Sequence, residues 1–424
     1  MEPVIGQLMN QLNISKTAYH AAAEAARMLT EAGYERLEEQ DTWSLRRGGR
    51  YFVVRDGSAL IAFCIGREAG GFRIVASHLD SPCLKIKGEA VSYAGGCAKL
   101  NVERYGGCLN YSWLDIPVQI AGRVIVAEAE HRHLRAEVVT EPHRMVIPSV
   151  AIHFNRDANS TLTLNPQVDL QPIAALAEKF VLNIAHEMPG DVLDADLFVV
   201  NAQEPYLAGY HDEFLVSPRI DNLTSAFASL AALDGAGEYG TAVAFLADNE
   251  EVGSETKQGA GSDFLRATLA RIAESLGESF TRALPHSFLV SCDNAHAIHP
   301  NHPEKSDPTN AVRLGGGIVI KHHANQNYTT DAFSSAVFKS ILKQAGVPYQ
   351  DFYMRADMLC GGTLGTISSS QLSIRSVDIG LAQLAMHAAT ETMCVADYPR
   401  LIDGLRAFYA ADLHADGYDT VDIR

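Results

Sequence analysis

The chain has 424 residues, 47% of them hydrophobic and 20% charged, with a formal net charge of -17. That length permits two domains or one large one around a substantial core, and the composition is that of a globular protein. The negative balance, uncompensated by any basic run, excludes broad nucleic-acid binding, and no apolar stretch approaches the length of a membrane span.

The N-terminus, Met1-Glu2-Pro3-Val4, lacks the basic and apolar regions of a signal peptide. Seven cysteines are scattered along the chain with no Cys-x-x-Cys spacing. This usage suits a reducing compartment and argues against a disulfide framework or a cysteine-based zinc knot. A cytoplasmic location is expected.

In chain order, Ser15 to Gly33 is predicted as a helix, with Ser15 as cap and Gly33 as stop. Short strands follow at 42–45, 51–55, 59–65 and 72–77, the last ending in His78-Leu79-Asp80. From about Glu89 to Val216 strand-like segments dominate (118–127, 136–139, 145–152), with one helical pattern at 173–186. This block is expected to be a β-rich module, 89–215, inserted into an α/β domain formed by 1–88 and 216–424. Helix–strand alternation then resumes: helix 221–233, strand 241–247, helix 262–276, strand 287–292, strand 317–321, helix 332–345, strand 350–355. Strand 373–377 is predicted to lead into a helix at 381–395, followed by a last helix at 398–410.

The strand Thr241–Ala247 runs into Asp248-Asn249-Glu250-Glu251. A strand ending in carboxylates presents them at the sheet edge where open α/β folds hold ligands. Alone, such a run is most simply a solvated acidic loop. The other element ends change that: His78 and Asp80, Asp221 and Asp293 also fall at or near them, and His387, within the predicted helix 381–395, adds a second histidine. Two histidines plus several carboxylates suit zinc, manganese or cobalt, and there are too many carboxylates for one tetrahedral zinc. Two divalent ions about 3.5–4 Å apart, sharing a bridging carboxylate, would use this set, with one glutamate left to take a proton from water.

These segments resemble the aspartyl aminopeptidases, dinuclear metallo-aminopeptidases related to yeast vacuolar aminopeptidase I. The resemblance covers nearly the whole chain. It is carried by 77–82, by Val102-Glu103-Arg104-Tyr105-Gly106-Gly107 with Trp113-Leu114-Asp115, by 151–153, 218–222, 248–254 and 293–301, and by Val377-Asp378-Ile379-Gly380 with Met386-His387. It implies an α/β fold, a mixed sheet flanked by helices, with an inserted β-rich dimerisation domain. It implies that His78, Asp221 and Asp293 hold one metal, that Asp221, Glu251 and His387 hold the other, that Glu250 is the general base, and that Asp80 orients the His78 imidazole. Peptide substrates are implied, with N-terminal Asp or Glu selected by Lys321 aided by Tyr328 and His296. Gly362, in Gly361-Gly362-Thr363-Leu364-Gly365, is implied to line the substrate pocket. Assembly through the insert into dodecamers is implied as well, with His153 reaching a neighbouring subunit's site.

Some residues depart from the family pattern. Ile116 follows Asp115 where arginine is usual, Ala388 stands where serine is usual, and His322, His323 and Asn327 are unfamiliar. Specificity is therefore open to another dinuclear aminopeptidase or deacylase activity, and a non-catalytic assembly or cargo homologue is the other alternative. The intact Glu250 speaks against the latter. Gly235-Ala236-Gly237-Glu238-Tyr239-Gly240 matches a dinucleotide fingerprint, but it follows a helix and precedes a strand, the wrong order for that use.

Overall fold

The computed structural model describes residues 3–128, 131–176, 180, 182, 190–417 and 419–424. Its centre is a nine-stranded sheet in the order Glu35–Leu37, Arg50–Arg55, Ala59–Ile65, Tyr239–Ala247, Glu68–His78, Phe288–Cys292, Arg375–Gly380, Ile318–His322 and Tyr349–Tyr353. The four strands from Tyr239–Ala247 to Arg375–Gly380 run parallel to one another. Their C-terminal ends, at Ala247, His78, Cys292 and Gly380, therefore share one edge. These strands are apolar on both faces because helices cover both. One face packs against helices Pro3–Ile14, Ala18–Glu31, Ile220–Ala232, Ala332–Ala345 and Asp397–Ala410. The other packs against Phe264–Ser275 and Leu364–Leu372. Residues such as Phe245, Val243 and Leu246 are fully enclosed, and each buried side chain of this kind contributes about 1.5–3 kcal/mol.

A seven-stranded sheet takes all its strands from Cys83–Asn201. Asp191–Asn201 pairs with Cys83–Ala94 on one side and with Pro117–Glu128 on the other, so the sheet closes into a ring. Closure removes most of the strand edges that such a block would otherwise leave open. His133–Thr140, paired among the described residues only to Pro117–Glu128, remains outside the ring. A five-stranded sheet of Tyr206–Ala208, Phe214–Ser217, Glu391–Cys394, Ala382–Leu384 and Ala295–His296 adjoins the parallel edge.

Several predicted elements differ. Residues 42–45 are not a strand, and 145–152 shortens to Met145–Val146. The helix expected at 15–33 forms as Ala18–Glu31, and a helix not expected from the sequence, Pro3–Ile14, precedes it. Residues 173–176 form a strand rather than the start of a helix, because Ile173 and Leu176 complete the ring beside Cys97–Tyr105. Most of 177–186 lies outside the described residues. The predicted helix at 381–395 is instead a hairpin of Ala382–Leu384 and Glu391–Cys394 joined by a turn holding His387. Its Leu-Ala-Met composition favours helix, but His387 has φ 65°, outside helical space. Among the described residues no helix is long and apolar enough to cross a membrane.

Candidate metal centre

Five chain segments converge at the parallel edge. His78 ends its strand and Asp293 follows Phe288–Cys292. Glu250 and Glu251 form a single turn after Tyr239–Ala247. Asp221 opens helix Ile220–Ala232 with non-helical backbone angles, and the Asp221–Asn222 peptide is cis. Arg219, Asn249 and His387, beside or among these residues, all have positive φ. Such conformations gather at functional sites, where the surrounding structure holds them in place.

The donor atoms fall into overlapping sets. His78, Asp221 and Asp293 make one, Asp221, Glu251 and His387 another, and His78, Glu250 and Glu251 a third. Within each set the donor atoms lie within 4.8 Å of one another. His78 Nε2 is 3.5 Å from Asp221 Oδ1 and 3.5 Å from Asp293 Oδ1. His387 Nε2 is 3.8 Å from Asp221 Oδ2 and 3.5 Å from Glu251 Oε2. These separations are long for hydrogen bonds, but the three of 3.5 Å come close to the edge of a tetrahedron whose centre lies about 2.0–2.1 Å from each ligand, roughly 3.3–3.4 Å. Asp221 Oδ1 and Glu251 Oε1 are buried with no hydrogen-bond partner. Buried carboxylate oxygens are costly when unsatisfied, so each of the two fits a cation beside it.

The electrostatics agree. Burial pushes Glu250 up to about 8, and the neighbouring Asp293, Asp80 and Asp221 carboxylates push the same way. Burial and Asp221 likewise raise Glu251 well above the ordinary range. Burial opposes charge on His78, but Asp221, Asp293 and Asp80 outweigh it and lift its pKa well above normal. Asp293 is held low despite burial, by Lys321 and His78. The pocket is short of positive charge, and divalent cations are what its donor set suits.

The residues behind the donors explain their placement. His78 Nδ1 lies 3.1 Å from the Asp80 carbonyl oxygen and 3.4 Å from its carboxylate. That carboxylate is otherwise engaged. It accepts the backbone N–H groups of Glu250 and Glu251, each at 3.1 Å, and the Tyr105 hydroxyl at 2.7 Å. Asp80 thus braces the two glutamates with its side chain, while its main chain meets the imidazole. Glu391, which sequence reasoning missed, accepts the N–H groups of Asp221 at 2.9 Å and His387 at 3.0 Å. Tyr105 and the following glycines come from the ring. A Cβ on Gly106, which has φ +73°, would meet Glu251 Cβ at 3.0 Å, and one on Gly107 would meet His387 Nδ1 at 3.2 Å. The Tyr-Gly-Gly run in the sequence was the available signal for this close approach.

Lys321 is 2% exposed. Its strand runs antiparallel to Arg375–Gly380 and places Lys321 opposite Asp378, inboard of the edge rather than on it. The direction of a strand is not legible in its sequence. The long side chain still carries Nζ to 3.3 Å from the Asn294 carbonyl and 3.9 Å from Asp293 Oδ2, with the Tyr328 ring centroid 5.1 Å away. His296 is exposed, and its ring lies 6.3 Å from that of Phe352. His322 points away from Lys321, stacked on Tyr353 and bonded to Asp351 at 2.8 Å. Asn327 Nδ2 donates to the Cys360 carbonyl at 2.9 Å, tying its loop to the one that holds Gly362. Gly362 itself is exposed, and a Cβ there would touch only the Asn327 carbonyl, at 3.9 Å. His153 is not among these residues. It sits on an exposed loop with Val150, Ile152 and Phe154.

A sequence profile described as "Aminopeptidase I zinc metalloprotease (M18)" matches residues 11–409. A "Probable M18 family aminopeptidase 2" of Azotobacter vinelandii is 39% identical over 423 residues, covering 96% of this chain and 98% of that protein. The chain belongs to the M18 peptidase family. It is a metallo-aminopeptidase. Another M18 relative, a "Probable aspartyl aminopeptidase" of Ricinus communis, is 36% identical over 480 residues, covering 98% of this chain and 97% of that one. Among solved structures, the Ape4 and Nbr1 complex contains a chain 33% identical to this M18 enzyme. It superposes with a TM-score of 0.91 over 95% of this chain and 85% of that one. The S. cerevisiae mApe1 dodecamer, 23% identical, shares the fold with a TM-score of 0.83 over 96% of this chain and 98% of that one.

Proposed function

We propose that this M18 enzyme removes N-terminal Asp or Glu from peptides at a two-metal centre. The observation that carries the reading is the pair of three-donor sets sharing Asp221, with unsatisfied Asp221 and Glu251 oxygens and the non-shared Glu250 beside them. His78, Asp221 and Asp293 would hold one ion and Asp221, Glu251 and His387 the other, zinc by family and manganese or cobalt by donor chemistry. When bound, such ions supply Lewis acidity toward a peptide carbonyl and toward water. Glu250, kept at its post by the Asp80 carboxylate on its N–H, takes the proton from the attacking water at a side-chain oxygen and returns it to the leaving amine. Burial favours its neutral form and the cations favour its charged form, the balance a proton shuttle needs.

Lys321 is the proposed selector. Its ammonium makes one hydrogen bond, to the Asn294 carbonyl, among the described residues. That leaves donors for a substrate carboxylate beside Tyr328. His296, exposed at the edge, would add a contact, and the loop carrying Gly362 would form the pocket wall. The test is a panel of aminoacyl reporters with defined metals. Faster cleavage of Leu or Ala than of Asp and Glu reporters would leave the aminopeptidase and remove the acidic specificity.

For assembly, the 83–201 block is proposed as the dimerisation domain of a homo-oligomer, in the end a dodecamer. The exposed Val150, Ile152 and Phe154 around His153 support this, as an apolar run of this kind needs cover. His153 would then act in the partner subunit's site. All seven cysteines are free, which supports a cytoplasmic setting.

A further inference from the structure

Behind the metal centre lies a cavity of about 320 Å³, bounded by the start of helix Ala18–Glu31, by Arg219 and by the ring of strands. It is at the lower end of the size range of small-molecule sites. Glu250, Asp293, Lys321 and His296 are not in its lining, so it is separate from the proposed substrate residues.

The lining is divided electrostatically. Of its six carboxylates, Asp80, Asp221, Asp248 and Glu391 belong to the metal centre and its support, and the other two are matched by bases. Asp56 pairs with Lys257 at 2.8 Å, and Asp196 pairs with Lys85 at 2.9 Å and Arg123 at 3.1 Å. Lys16 and Arg219 have no such match. Among the described residues neither is within ion-pair distance of a carboxylate. Lys16 Nζ donates only to Asn13 Oδ1, at 3.1 Å. Arg219, 9% exposed, donates through its Nη atoms to the carbonyls of Leu12 at 2.9 Å and Asn201 at 3.4 Å, and its Nε has no partner. Trp113, 2% exposed, also has an unpartnered Nε1. Helix Ala18–Glu31 begins at the same cavity without a side-chain cap, because the Thr17 hydroxyl faces His20 Nδ1 at 2.9 Å. Burial, and then the nearby Arg219, bring Lys16 down to about 8, as expected of a cation that lacks a counter-ion.

We propose that this cavity binds a compact oxyanion, either sulfate-like or a carboxylate, held by Arg219 Nε, Trp113 Nε1, Lys16 and the uncapped helix start. Buried N–H donors without acceptors are rare, and a helix N-terminus adds partial positive charge directed at the same space. The ligand would lie beside Asp221, which lines the same cavity two residues along the chain from Arg219.

The protein supplies its own probe. It has two tryptophans, Trp43 and Trp113, and only Trp113 lines the cavity. The purified holoenzyme is titrated with sodium sulfate and, separately, sodium acetate, with sodium chloride balancing ionic strength. Tryptophan emission should change saturably with one or both, and the responding salt identifies the oxyanion class. The change should vanish in Trp113→Phe and weaken about tenfold in Lys16→Met, which loses one charged donor. If Trp113→Phe does not fold, the sulfate- or acetate-dependent rise in Tm, present in the wild type and reduced in Lys16→Met, takes its place. No saturable response to either salt, a response that survives in Trp113→Phe, or one unchanged in Lys16→Met would overturn the proposal.

Discussion

Replacing Lys321 by methionine separates the specificity claim from the catalytic one. The ammonium is 2% exposed, so a substrate carboxylate reaching it would be largely desolvated. Removing the charged partner of such a carboxylate costs about 2–5 kcal/mol, a fall in kcat/KM of about 30-fold to a few thousand-fold for Asp and Glu reporters. The same substitution has a second effect. Lys321 Nζ is 3.9 Å from Asp293, worth about 4 kcal/mol at an effective dielectric near 20, and it helps to hold that carboxyl ionised. Losing it should weaken the metal site and slow neutral reporters as well. The informative quantity is therefore the ratio of acidic to neutral kcat/KM at saturating metal, in which the shared loss cancels. That ratio should drop by about 30-fold or more. An unchanged ratio, with both substrates slowed equally, would show that Lys321 serves Asp293 alone and that the selector lies elsewhere.

The Glu250→Gln variant should retain its metals by elemental analysis and lose about 10²–10⁴-fold in turnover, whereas near-normal activity would remove Glu250 as the base. Asp80→Asn would turn a donor toward the N–H groups of Glu250 and Glu251 or the Tyr105 hydroxyl, leaving at least one unsatisfied. A metal titration should show about 10–100-fold weaker binding, and unchanged affinity would mean the brace is dispensable. Metal loading should release protons, because Glu250, pushed up to about 8, is largely protonated at pH 7 in the ion-free protein, and burial and Asp221 push Glu251 in the same direction. Apparent metal affinity should then rise with pH toward 8, and calorimetry in buffers of different ionisation enthalpy reads the release directly; buffer-independent heats would contradict it. Mixing His153→Ala subunits with Glu250→Gln subunits, each inactive alone, should restore part of the activity if His153 acts across an interface, and no recovery in confirmed mixed dimers would exclude that role.

The donors were legible in the sequence because metal chemistry restricts which residues can serve and the parallel strands deliver them to one edge. Helix Ala332–Ala345 was legible too, with Asp331 capping it and Gly346 ending it in a left-handed turn. What failed was set by distant partners. Residues 381–395 have helical composition, yet the turn at His387 is dictated by Glu391 and by the need to face Glu251. The strand at 173–176 exists because the ring needed an edge filled. Asp80 was legible as a histidine partner, its carboxylate 3.4 Å from His78 Nδ1, but the Glu250 and Glu251 N–H groups it also accepts, 170 and 171 residues away, were not. Glu391 gave no local signal at all, since a buried glutamate in an apolar hairpin has meaning only once Asp221 and His387 are beside it.

The Tyr105-Gly106-Gly107 corner has a consequence for how this protein can be altered. The strand-ring contributes no proposed metal ligand, so it looks like a removable accessory. Yet its corner delivers the hydroxyl that closes the Asp80 network and the bare backbone against which Glu251 and His387 rest. A shortened chain lacking 83–201 would keep every donor atom and lose the surface that spaces them. Alterations to the ring that are to leave the centre intact must therefore spare that corner, and transplanting the ring from a relative would have to carry the corner with it.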